Sequence, residues 1–122
     1  MKQFKEMIIP KPKTYRMPML ELQGKWLHDL GFSLGTLVNA HFKDGCLTLS
    51  TELSAKNNIG ILMVKPKRVR GRIRPVLLID GFILKRLGYD SFDRVGLVLH
   101  HGQIQMTKIN QFTTEDVHHG TC

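Results

Sequence analysis

Long apolar runs, cysteines and acidic residues are all scarce in this chain of 122 residues. No apolar stretch approaches the roughly 20 residues that a helix needs to cross a bilayer, which excludes a helical membrane span. The two cysteines, Cys46 and Cys122, have no framework spacing, so neither a disulfide scaffold nor a zinc site can be argued from them. The opening stretch "MKQFKEMIIPKPK" has no continuous apolar core and no small-residue cleavage site. No secretory signal is expected, and a reducing cytoplasm is the expected compartment. Phosphate-binding loops, G-x-S-x-G and H-E-x-x-H are all missing, so the usual nucleotide hydrolases, serine hydrolases and zinc proteases drop out. Neither a cofactor nor a metal is expected.

What is present is ordinary globular material with an excess of one charge. At 42% hydrophobic and 23% charged residues, the composition suits one compact domain or two very small units sharing a core. Eighteen Lys and Arg against ten Asp and Glu leave a net charge of +8. A surplus of that size favours a polyanion as partner, nucleic acid or an anionic membrane; the expected partner is nucleic acid, with no membrane. The charge is concentrated. "KPKRVRGRIR", Lys65 to Arg74, holds six of the eighteen basic residues and no acid, while Lys11, Lys13 and Arg16 form a weaker cluster.

The chain also repeats itself. Residues 17–50 align without a gap to residues 74–107 at a constant shift of 57, with Pro18/Pro75, Leu20/Leu77, Gly24/Gly81, Leu27/Leu84, Leu30/Leu87, Gly31/Gly88, Val38/Val95 and Gly45/Gly102 identical. Each copy reads as strand, short helix, strand, turn, strand. Leu20 and Leu22 alternate with polar neighbours, Trp26, Leu27 and Leu30 share one helical stripe, and Gly31 closes the turn. Val38, Ala40 and Phe42 then lead to Asp44-Gly45, a hairpin signal, and Leu47 and Leu49 return on the same face. In the second copy Asp80 stands where an N-cap belongs, and His101-Gly102 replaces the Asp-Gly turn. The expected division is a basic arm over 1–16, a first repeat over 17–50, a linker with the basic stripe over 51–73, a second repeat over 74–108, and a polar tail over 109–122. "IGILMVK" within the linker is a candidate strand. The expected architecture is mainly β with two short helices. One such unit is too small to fold alone, so two copies would cover each other as an intrachain pseudo-dimer; a monomer is then expected, a homodimer if the copies swap between chains.

Residues 16–50 resemble the SymE toxin family of bacterial type I toxin–antitoxin systems. The match rests on Arg16-Met17-Pro18, Leu20, Leu22, Gly24, Trp26-Leu27, Gly31-Phe32, Gly35, Val38, Gly45, Leu47 and Leu49, about a third of the chain. The resemblance implies tandem swapped-hairpin repeats closing one barrel, the fold of AbrB and MazE. It also implies an RNA-directed toxin, an endoribonuclease acting on mRNA. The relatives of that fold mostly bind DNA without cleaving it, so a DNA-binding regulator, antitoxin or nucleoid binder is the alternative. The second copy departs from the pattern, with Ile83 for Trp26, Phe92 for Gly35 and Gln103 for Cys46.

The residues themselves offer little catalysis. A metal-independent ribonuclease needs a base, an acid and a cation at the phosphorane. His41, His100 and His101 are the candidates for base and acid, and Lys43, Arg70 or Arg72 for the cation. Read without the resemblance, they are polar surface residues on a strand and a turn. His118 and His119 fall in the tail, and Cys46 reads as a small hydrophobe. Trp26 reads as core, while Phe4 and Tyr15, set among basic residues, are the candidates for base stacking. The nucleic-acid-binding candidates are Lys11, Lys13, Arg16, Lys65, Lys67, Arg68, Arg70, Arg72 and Arg74. If that segment is extended, Arg68, Arg70, Arg72 and Arg74 project from one face at a spacing close to that of strand phosphates, with Val69 and Ile73 turned to the body.

Overall fold

A computed structural model describes residues 3–12, 18–52 and 58–109. It is mainly β, with nine strands in two antiparallel sheets and two short helices among the described residues. In chain order these are β1 (Gln3–Ile8), β2 (Leu20–Gln23), α1 (Lys25–Asp29), β3 (Leu37–Lys43), β4 (Cys46–Ser50), β5 (Asn58–Met63), β6 (Lys65–Val69), β7 (Arg72–Ile79), α2 (Gly81–Arg86), β8 (Arg94–His100) and β9 (Gln103–Lys108). The larger sheet runs β1-β8-β9-β4-β3-β5 and the smaller one β2-β7-β6. With β1 and β5 at its two edges, the larger sheet does not close into a barrel among the described residues.

Alternation decides which faces meet. Val38 and Ala40 of β3, Leu47 and Leu49 of β4, Val95, Leu97 and Leu99 of β8, and Ile104 and Met106 of β9 are buried in one cluster with Leu20 and Leu22 of β2 and Leu77 and Ile79 of β7. The period of two predicted for these stretches is therefore the period of the core. Leu27 of α1 and Ile83 and Leu84 of α2 join the same cluster, each leucine contributing about 2 kcal/mol of burial. Trp26 is only partly buried: its Nε1–H donates to the Gln23 carbonyl at 2.9 Å, and Lys5 Nζ sits 4.5 Å from its ring centroid.

The local signals act as expected. The Asp80 carboxylate accepts from the Ile83 amide at 3.0 Å, capping α2, while α1 starts from Gly24 with no side-chain cap. Asp44 and Gly45 both take positive φ, 51° and 79°, in the tight turn between β3 and β4. Segment boundaries fall differently. The stretch read as an arm contains β1, paired with β8, and the stretch read as a linker contains β5, β6 and the start of β7. The expected strand over Ile59–Lys65 is realised as β5, which starts one residue earlier and ends two residues earlier.

Positions 57 apart fall in like elements, β3 with β8 and β4 with the first five residues of β9. Leu20 pairs with Ile79 and Leu22 with Leu77; Leu47 pairs with Met106 and Leu49 with Ile104. Ile9 bonds the backbone of Phe92 and Asp93, and Val64 bonds that of Gly35 and Thr36.

Candidate nucleic-acid interface

The basic segment is not one extended strand. β6 and β7 form a hairpin, and Arg70 and Gly71 are its turn, with φ of 51° and 80°. Positive φ at both central residues is the turn whose twist matches antiparallel strands, and glycine takes the second position without steric cost. Register then sorts the side chains. Lys65 lies opposite Val76, Lys67 opposite Arg74 and Val69 opposite Arg72, all on one face; Arg68 lies opposite Ile73 on the other. The expected single row of four arginines is thus divided: Arg72 and Arg74 share a face with Lys65 and Lys67, Arg68 projects from the reverse face, and Arg70 stands at the tip. Ile73 is not turned to the body either, being 57% exposed. The period of two was carried through a turn that breaks it.

Lys65, Lys67, Arg68, Arg70, Arg72 and Arg74 are all exposed. Lys67 is held by Glu21 of β2, with Nζ–O distances of 2.9 and 3.0 Å. The four arginines and Lys65 make no ion pair among the described residues, whereas Arg94 is paired with Glu6 and Lys108 with Asp93. The hairpin thus groups five unpaired cations within ten residues, with Lys67 the one member held by a carboxylate among the described residues. Lys11 is exposed beyond β1. Lys13, Tyr15 and Arg16 lie outside the described residues, as do His118 and His119.

Two basic residues not singled out in the sequence stand beside the hairpin. The Gly24 amide donates to the Pro75 carbonyl at 3.2 Å, which docks the start of α1 on β7. A Cβ on Gly24 would meet the Trp26 ring at 2.8 Å, so this docking needs glycine. Lys25 and His28 then line one opening with Arg72 and Arg74. Only the polar side of the α1 stripe marked them in the sequence, and that periodicity says nothing of which strand the helix leans on.

The three histidines are not gathered together. His41 is in the middle of β3 and His100 at the end of β8, with β4 and β9 between those strands, a separation on the order of 14 Å. His101 leaves the sheet altogether: its ring lies against Gly31, where a Cβ would come within 3.2 Å of Nε2, and the adjoining Gly102 amide donates to the Leu30 carbonyl. Lys43 closes β3, in the other sheet from Arg70 and Arg72. Phe4 is 51% exposed on edge strand β1 and rests on Gly96. Cys46 is buried at the start of β4.

No family model matches the chain, and no solved structure matches it. It is similar over part of its length to curated proteins named Endoribonuclease SymE. With that of Salmonella paratyphi C (strain RKS4594) it is 39% identical over 41 residues, 34% of this chain and 37% of that protein. With that of Escherichia coli O157:H7 (strain EC4115 / EHEC) it is 37% identical over 41 residues, 34% of this chain and 36% of that protein. With that of Shigella flexneri it is 36% identical over 44 residues, 36% of this chain and 39% of that protein. The chain thus spans less than two fifths of the length of the curated relatives it matches. No helix among the described residues is long and apolar enough to cross a membrane.

Proposed function

We propose that this chain is a SymE-like protein that binds RNA through the β6–β7 hairpin and promotes RNA cleavage as a toxin. The observation that carries the binding is the hairpin itself, with four exposed arginines and Lys65 that no carboxylate of the described residues neutralises. Guanidiniums hold phosphates in bidentate fashion and keep their charge at any physiological pH. RNA is preferred to DNA because the partly similar curated proteins are named endoribonucleases.

The same reading takes the chain as two units, 17–50 and 74–108, packed as a pseudo-dimer of the AbrB and MazE kind. Its support is the pairing that maps onto itself when the two units are exchanged, Leu20 with Ile79 as Leu22 with Leu77. A DNA-binding protein without catalysis is the second reading, and the scattered histidines favour it over cleavage.

The test is binding of labelled single-stranded RNA and of duplex DNA across a salt series, with gel analysis of the RNA. The proposal expects RNA to bind more tightly and to be cut at discrete sites. Tight duplex binding with intact RNA gives the second reading instead.

A further inference from the structure

β7 pairs with β2 only from Val76 onward and Pro75 is met by Gly24, so Arg72 to Arg74 have β6 on one side and an open edge on the other. The Pro75 carbonyl points across that edge, since it takes the Gly24 amide. Backbone groups of a strand alternate in direction, so the Ile73 N–H and C=O point into the same opening. That groove, about 560 Å³ and open to solvent, is lined by Lys25 and His28 of α1, by Leu34, and by Arg72 to Pro75 of β7. Its size falls within the range of about 300–1,000 Å³ typical of small-ligand sites. Among the described residues no Asp or Glu lines it.

Two chemistries therefore meet in one groove. Three cations border it, Arg72 and Arg74 from one face of β7 and Lys25 from α1, while Leu34 and Ile73, 50% and 57% exposed, add apolar surface, Ile73 from the other face of the strand. A phosphate alone gains nothing from two exposed aliphatic side chains, and an apolar ligand gains nothing from the cations. A nucleotide of a single strand uses both: its phosphate on Lys25, Arg72 and Arg74, its base laid on Leu34 and Ile73, and the base edge within reach of the Ile73 backbone. A duplex keeps its base faces stacked and offers only the phosphates. We infer that this groove between α1 and the open edge of β7 holds one unstacked nucleotide of single-stranded RNA and sets the preference for single strands. The inference rests on the proposed RNA binding and adds the subsite that distinguishes strand from duplex.

The test compares Leu34→Ser, Ile73→Ser and the double variant with the unaltered chain. The probes are a decauridylate strand, a ten-base-pair RNA duplex and uridine monophosphate. Both side chains are at least half exposed, so the core is untouched; Lys25→Ala serves as a further variant whose cation also borders the groove. The expected result is a loss of about tenfold for the double variant on decauridylate, with the salt slope and the duplex affinity unchanged. Lys25→Ala lowers both affinity and slope. Equal decauridylate affinity for the double variant and the parent overturns the subsite, even where Arg72→Ala with Arg74→Ala weakens binding and the RNA-binding reading stands. Tight, saturable binding of uridine monophosphate overturns the assignment to a strand in favour of a free nucleotide. Failure of the parent to bind either RNA probe removes both the subsite and the reading beneath it.

Discussion

At the scale of single residues, positions 32 and 89 make the most informative comparison. Phe32 and Tyr89 are both buried, and their amides donate to the Leu27 and Leu84 carbonyls at 2.8 Å each. Tyr89 adds a hydroxyl that finds no hydrogen-bond partner among the described residues. Burial, with Asp93 as a lesser cause, pushes its pKa up to about 12. A raised folded-state pKa means that the unfolded chain loses this proton first, so stability holds below pH 10 and falls as pH rises from 10 toward 12. The loss over that window is on the order of 2 kcal/mol. Urea unfolding at pH 9 and pH 11.5 measures it. Tyr89→Phe is expected to abolish this part of the alkaline loss and to leave stability at neutral pH equal or higher, because it removes an unpaired buried hydroxyl. A Tyr89→Phe variant less stable by more than 1 kcal/mol would mean that the hydroxyl has a partner. Asp80 is the second such residue: its carboxylate caps α2, and Asp80→Ala is expected to cost about 1 kcal/mol in the same unfolding measurement.

At the scale of elements, two hairpins show what sequence does and does not reveal. β3–β4 was legible because Val38, Ala40, Leu47 and Leu49 alternate and Asp44-Gly45 is a strong turn signal. β6–β7 was not, because its turn is Arg70-Gly71 inside a run of alternating arginines, and the alternation looked continuous across it. The positive charge is legible in the sequence and its geometry is not; only the register, Val69 opposite Arg72, divides the arginines between two faces and a tip. Lys25 and His28 are not legible for a related reason: a five-residue helix announces its buried stripe but not the strand it leans on. The hairpin yields its own prediction. Gly71 has φ of 80° with open space around it, so Gly71→Val meets backbone strain rather than a clash. It is expected to loosen the turn at a cost of about 1–2 kcal/mol and to weaken RNA binding, with the large sheet intact by circular dichroism.

At the scale of the molecule, the β6–β7 hairpin is where unpaired cations stand closest together in sequence. Glu6, Glu21 and Asp93 neutralise Arg94, Lys67 and Lys108, while the arginines of the hairpin stay unpaired among the described residues. Two units packed within one chain would leave no need for a second copy, so light scattering is expected to give a monomer near 14.0 kDa. The most direct measurement is the salt dependence of single-stranded RNA binding for the parent and for Arg72→Ala with Arg74→Ala. Each phosphate contact on a single strand contributes about 0.7 to the slope of log affinity against log salt, so the double variant is predicted to flatten it by about 1.4. An unchanged slope at unchanged affinity would contradict the account, since the hairpin would then touch no phosphate.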